Sequence, residues 1–282
     1  MPVDMESQSQ LRQRQPYSDS PNRNGAGDGD SAASQVPPPA PDPVPRAPAF
    51  AGRVGANLAF TDRNEVDQNP DAAQMQTLGQ VLDVHGFRRP IYLRAAAIEC
   101  WGTFLQVFLA GYIDTAFGTF TTSTSLAINI THSLTTALII SLFIYSTGIP
   151  TGGHMNPFIT MATFMTGLCT LPRALYYIVG QLIGALAGGF FLKLGLGGSK
   201  YFFPDGIVGG CTMDFSQISP GEAFVLEFGV YSIVVFVAFG VGLEPRQGKT
   251  LGPALSPILV GVTVGLATFG TGSVHPGWSG AL

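Results

Sequence analysis

Polar and apolar positions part company near residue 90. From Ile91 onward, five stretches of roughly 18 to 24 residues are almost continuously apolar, running near 91 to 114, 126 to 145, 172 to 194, 221 to 243 and 253 to 270. As helices rising 1.5 Å per residue, each is long enough to cross about 30 Å of hydrocarbon. A buried soluble helix can be as apolar, but five of them within one C-terminal region predict an all-α membrane protein.

A sixth apolar stretch breaks the pattern. In "GGHMNPFITMATFMTG", residues 152 to 167, the apolar part from Asn156 to Thr166 covers only about 16 Å at helical rise, half a membrane. Asn is among the best helix N-caps, and Pro is favoured at the first helical position because its missing N–H would have had no partner there. Asn156-Pro157 therefore reads as a helix start. The irregular "STGIPTGGHM" before it is tolerated at membrane depth only where protein buries it or water lines it. A helix N-terminus placed there presents unpaired N–H donors and a partial positive charge, which suits one wall of a polar pore. The dipeptide alone also fits an ordinary loop followed by a surface helix.

Other positions organise the spans. Gly180, Gly184 and Gly188 share one face of the third span, and Gly261 and Gly265 one face of the fifth, the small-residue spacing that lets membrane helices approach closely. Glu99 opens "ECWGTFLQVF" in the first span and Glu227 opens "EFGVYSIVVF" in the fourth, each followed eight and nine residues later by Val-Phe, at an offset of 128 (227 minus 99). A carboxylate inside a span faces the bundle interior or a polar cavity, here one accepting hydrogen bonds from the irregular loop of its own half. Two such halves of opposite sense form an inverted repeat, although a chance apolar repeat would look similar.

Composition agrees with this picture. The 282 residues are 46% hydrophobic and 11% charged, against about 25% charged in ordinary soluble domains. Fourteen scattered basic residues and a net charge of −4 exclude a nucleic-acid partner, which needs a clustered basic face. Cys100, Cys169 and Cys211 have no metal-ligand spacing, so neither a metal nor a cofactor is expected. Residues 1–88, with runs such as "QVPPPAPDPVPRAP", are expected to be a disordered tail ahead of a channel domain over 89–282. That tail has neither the apolar core of a secretory signal nor the acid-poor composition of a presequence. Arg88, Arg89, Arg94, Arg173, Arg246 and Lys249 fall on one side of the spans and Lys193 and Lys200 on the other, which predicts a cytoplasmic N-terminus in a plasma or internal membrane.

With Glu99, the Gly-Gly-His-Met-Asn-Pro stretch and Gln181-Leu182-Ile183-Gly184-Ala185 in this order, residues 90 to 282 resemble the major intrinsic protein family, the aquaporins and aquaglyceroporins. The resemblance implies six tilted helices around a pore, two half-helices meeting at the membrane centre through Asn-Pro-Ala motifs, and a homotetramer in the lipid bilayer. "VGGC", ending at Cys211, is similar to a loop signature of the X-intrinsic branch and gives that cysteine a functional reading beside that of a plain loop thiol.

Phe158 departs from the motif's Ala and puts the half-helix spacing in question. The chain ends at Leu282 before a second motif, its following Arg, a second half-helix and a sixth span; setting Gly152 against Ser279, an offset of 127, predicts that Asn-Pro follows at 283.

The resemblance places the narrow filter at Thr136 and Thr268, smaller than the Phe and His of a strict water filter, and so implies passage of glycerol, urea and hydrogen peroxide as well as water. Either threonine alone equally fits a hydroxyl bonded to its own helix. The site is then Asn156 as pore donor, with His154, Pro157 and Phe158 beside it and Glu99 and Glu227 as structural carboxylates. The rivals are a non-conducting structural or adhesion subunit, an inactive fragment, and an enzyme built on His154 with a nearby Thr or Ser.

Overall fold

The computed structural model describes residues 76–120, 126–197, 212–244, 250–272, 274–275 and 278–279. Helix α1 is Leu78–Val81, and a 3-10 turn follows at Val84–Arg88. The long helices are α2 (Pro90–Phe120), α3 (Leu126–Thr151), α5 (Leu171–Gly195), α6 (Pro220–Ala238, running on as a π-helical turn Phe239–Leu243) and α7 (Gly252–Thr271). The short α4 (Pro157–Met165) lies between α3 and α5. Strands β1 (Thr212–Met213) and β2 (Trp278–Ser279) form one antiparallel pair.

All five predicted spans are present and are long and apolar enough to cross a membrane. Local chemistry sets their starts: α4, α5, α6 and α7 each carry Pro in the first or second position, and Ser219 and Glu222 close a reciprocal capping box at the head of α6.

Burial is inverted relative to a soluble protein. Leu186 and Phe236 are 76% and 81% exposed, while Glu99, Arg173, Gln181, Thr151 and Thr160 are wholly buried. Such a distribution is stable only where the outer solvent is itself apolar. The chain is an integral, multi-pass membrane protein.

The predicted glycine ladders are the helix contacts. A methyl group at Gly180 would stand 2.8 Å from the Ala96 carbonyl oxygen of α2, and one at Gly188 2.6 Å from that of Phe104; Gly184 is tighter still against Cys100. In the same way Gly265 meets α3 at Ser133, where a methyl would lie 2.6 Å from the carbonyl oxygen, and Gly261 abuts Ala137 and Ser141. The α2–α5 and α3–α7 pairs thus touch backbone to backbone, as van der Waals-driven membrane packing requires.

Residues 76–88, expected to belong to the disordered tail, are folded instead. Thr77 and Gln80 form a capping box around α1, and Gln76 N–H donates to the Gly167 carbonyl at 3.2 Å. Asp83 accepts from the backbone N–H of His85 at 2.9 Å and from its ring Nδ1 at 2.7 Å; these bonds, the backbone one foremost, hold its carboxyl below the usual carboxylate range. Gly86 packs on Tyr92 and Pro172, where a side chain would clash. Short polar segments like these carry no periodic signal, and their order comes from contacts with α5 and the end of α4. Residues 1–75 lie outside the described residues.

Candidate pore site

The irregular backbone between α3 and α4 turns through positive φ at Gly152 (101°), Gly153 (71°) and Met155 (41°). Glycine accepts that region at no steric cost, whereas Met155 is held there by its surroundings. Chief among these is Glu99. Its carboxylate accepts from the backbone N–H groups of His154 and Met155, the Thr151 hydroxyl and the Gln181 amide, the last at 2.9 Å. Tyr177 donates to the Thr151 carbonyl at 2.7 Å, and the Thr103 hydroxyl reaches the Met155 carbonyl at 3.4 Å. Backbone polar groups that hydrocarbon would leave stranded are therefore paired internally, which is the role expected of the first-half carboxylate.

Helix α4 is held at both ends. At its start Asn156 has extended backbone (φ −142°, ψ 123°), and its side-chain oxygen accepts from Phe158 N–H at 2.8 Å, the N-cap expected of Asn-Pro. At the other end the buried Arg173 guanidinium donates to the Leu168 carbonyl at 2.7 Å and to the Cys169 sulfur at 3.1 Å, and lies 5.7 Å from the Tyr177 ring centroid. A cation there also complements the negative end of the helix dipole. Arg173, expected as a topology marker at a span end, lies wholly inside the protein.

The Asn156 end of α4 opens on a cavity of about 110 Å³, room for several water molecules. Its walls are largely Ile, Val and Leu from α3, α6, α7 and the π-helical turn, with Gln106, His154 and Asn156 as its polar side chains. Phe158 lines it too, its ring edge-on to Tyr231 at 4.9 Å between centroids. Pro157 is the first residue of α4.

His154 Nδ1 is 3.3 Å from the Thr160 hydroxyl, the pairing an enzyme would need. Thr160 is wholly buried, and its hydroxyl donates to the Asn156 carbonyl at 3.0 Å while accepting from the Gln181 amide at 3.1 Å, so its proton is already engaged within its own helix.

The two threonines expected at a filter, Thr136 and Thr268, stand elsewhere. Neither is among the cavity-lining residues; Thr136 is four residues from Ile140 and Thr268 four from Val264, one turn beyond the lining. The Thr268 hydroxyl donates to the Val264 carbonyl of its own helix at 3.0 Å. From the contacts of Gly265 with Ser133 and Ala137, Thr136 stands abreast of Gly265, about one turn from the level of Thr268.

Glu227 lies apart from the cavity and accepts from the Trp278 indole at 2.9 Å. That pair spans 51 residues and the Glu99–Thr151 pair spans 52. Cys211 lies outside the described residues. Gln106, Thr151 and Thr160 are polar positions that the sequence reading passes over; their signal is a polar side chain within an apolar span.

A family model described as "Major intrinsic protein" matches residues 87–277. The Zea mays protein named Aquaporin TIP1-1 is 33% identical over 114 residues, 40% of this chain and 41% of that protein. The Oryza sativa protein named Probable aquaporin TIP1-1 is 29% identical over 62% of this chain and 67% of its own length. The Arabidopsis thaliana protein named Aquaporin NIP1-1 is 28% identical over 70% of this chain and 69% of its own. The chain thus spans about two fifths to two thirds of the length of these curated relatives.

Proposed function

Because the chain belongs to the major intrinsic protein family, we propose that it forms a passive channel for water and small uncharged solutes of the glycerol, urea and hydrogen peroxide class. The observation that carries this reading is the Asn156 cap at a cavity. The cap holds the side-chain oxygen and fixes the amide's orientation, so its N–H groups are the donors offered to a solute, while the positive end of α4 disfavours cations and orients passing water so that a proton wire is broken. The relatives' printed names, aquaporins, support the same class. In this proposal the N-terminus is cytoplasmic, four copies assemble in the bilayer, and Thr136 and Thr268 set the width of the opening. The X-intrinsic branch remains part of the proposal through Cys211.

Two substitutions test it in vesicles carrying the full-length protein. Asn156→Asp keeps a favoured N-cap but replaces the donor by an acceptor. Folding, read by gel filtration, should survive, and osmotic water flux should fall about tenfold or more, the effect of losing a charge-oriented hydrogen bond in a dry site. An unchanged rate would remove the pore-donor role. Thr136→Phe narrows the proposed filter and should lower glycerol flux well below its effect on water flux. Equal loss of both would show that Thr136 does not set the width.

A further inference from the structure

Gln106 is the polar side chain of the cavity that neither the half-helix nor the carboxylate network uses. It lies on α2, seven residues after Glu99, among the cavity-lining side chains, and its Oε1 is buried with no donor among the described residues. An unpaired buried amide oxygen is costly, and such groups await a partner. The internal repeat gives a second, independent reason to place it at the pore. The offset of 128 carries Gln106 onto Val234, and Val234 lines the same cavity. The same repeat position thus borders the cavity in both halves, apolar in one and an amide in the other.

Resting on the channel reading, we propose that Gln106 is a specificity-determining residue, a second hydrogen-bonding station that favours solutes with several hydroxyl or N–H groups. Asn156 is fixed as a donor, because its oxygen is held by Phe158 N–H. Gln106 has no such constraint, and rotation of its amide offers either the oxygen or the N–H groups to the cavity. A polyol or urea replaces its lost hydration by bonding both amides at once, accepting from Asn156 and donating to Gln106. Water, with one oxygen, gains little from the second station. The amide therefore lowers the barrier for the larger solute more than for water.

The test compares glycerol and water permeability of vesicles carrying the full-length protein with those of Gln106→Met and Gln106→Asn. Met keeps the length and removes both hydrogen-bonding functions; Asn keeps the amide one methylene shorter. The glycerol-to-water permeability ratio should fall roughly 3- to 10-fold in Gln106→Met, the effect of one net hydrogen bond, and recover at least in part in Gln106→Asn. Gel filtration should show both variants folded. A parent that passes both solutes, with the same ratio in Gln106→Met, would overturn the role of Gln106 and leave the channel reading standing. So would a fall in Gln106→Met that Gln106→Asn shares in full, since it would report packing and not the amide. A parent that passes neither solute above empty vesicles overturns the channel reading and this inference with it.

Discussion

Glu99→Ala is expected to be the most damaging single substitution in the protein. It removes the acceptor shared by four donors, but they are not equally affected. The Thr151 hydroxyl also reaches the Thr147 carbonyl at 2.9 Å, and the Gln181 amide also reaches the Thr160 hydroxyl at 3.1 Å, so both keep a partner. The backbone N–H groups of His154 and Met155 lose the carboxylate as an acceptor, and that of Met155 meets no other acceptor among the described residues. The loss from leaving one buried donor unpaired is about 1 to 3 kcal/mol, before the weakened His154 bond and the cavity left by the side chain. It falls on the loop that aims Asn156, so the cap and the positive-φ turn loosen together. The thermal midpoint of the purified protein in detergent should drop by many degrees, with little protein recovered from the membrane. Glu99→Gln, which keeps one accepting oxygen, should fall between Ala and the parent. A midpoint for Ala within a degree or two of the parent would show that the loop does not depend on the carboxylate.

The second large effect is expected at Gly184, where α5 meets the Cys100 backbone of α2. Gly184→Leu forces apart two helices that touch through main chain, and main chain cannot step aside as a flexible side chain can. The cost should exceed the roughly 1 to 3 kcal/mol typical of overpacking. Gly189→Leu, on the same helix but with nothing within 4 Å of an added carbon, is the internal control and should be tolerated. The measurement is the fraction of each variant that elutes as a folded species in gel filtration. Equal behaviour of the two would mean that α2 and α5 do not pack as closely as described.

Both effects concern features readable before any coordinates. Glu99 stands out because a carboxylate is rare within a span, and Gly184 because its neighbours Gly180 and Gly188 repeat at helical spacing. The five spans are legible for the same reason, since length and apolarity are properties of consecutive residues. Asn156-Pro157 is legible because capping is local chemistry, decided within two or three positions.

What escapes the sequence depends on partners far along the chain. Arg173 reads as a surface charge at a span end, yet the carbonyl of Leu168, the sulfur of Cys169 and the ring of Tyr177 bury it. Residues 76–88 read as tail because contacts with distant Gly167, Pro172 and Tyr176 help to order them. The cavity-lining Val234, Ala238, Val260 and Val264 carry little signal, since side chains just as apolar, such as Phe236 and Leu266, face outward on the same helices. The relative levels of Thr136 and Thr268 likewise depend on helix packing, not on counting from Asn156. Gln106 escapes because one amide in a long apolar helix fits either a lipid-facing or a pore-facing position until the neighbouring helices are placed.

The central claim is that the Asn156 end of α4 borders a conducting pore for uncharged solutes. It is tested most directly by stopped-flow light scattering of vesicles carrying the full-length protein, against empty vesicles of matched size, with ionic conductance recorded in parallel. The account predicts osmotic water flux several-fold above empty vesicles and no added ionic conductance. Water flux equal to that of empty vesicles, with folded protein shown to be in the membrane, would contradict it and leave a non-conducting membrane subunit.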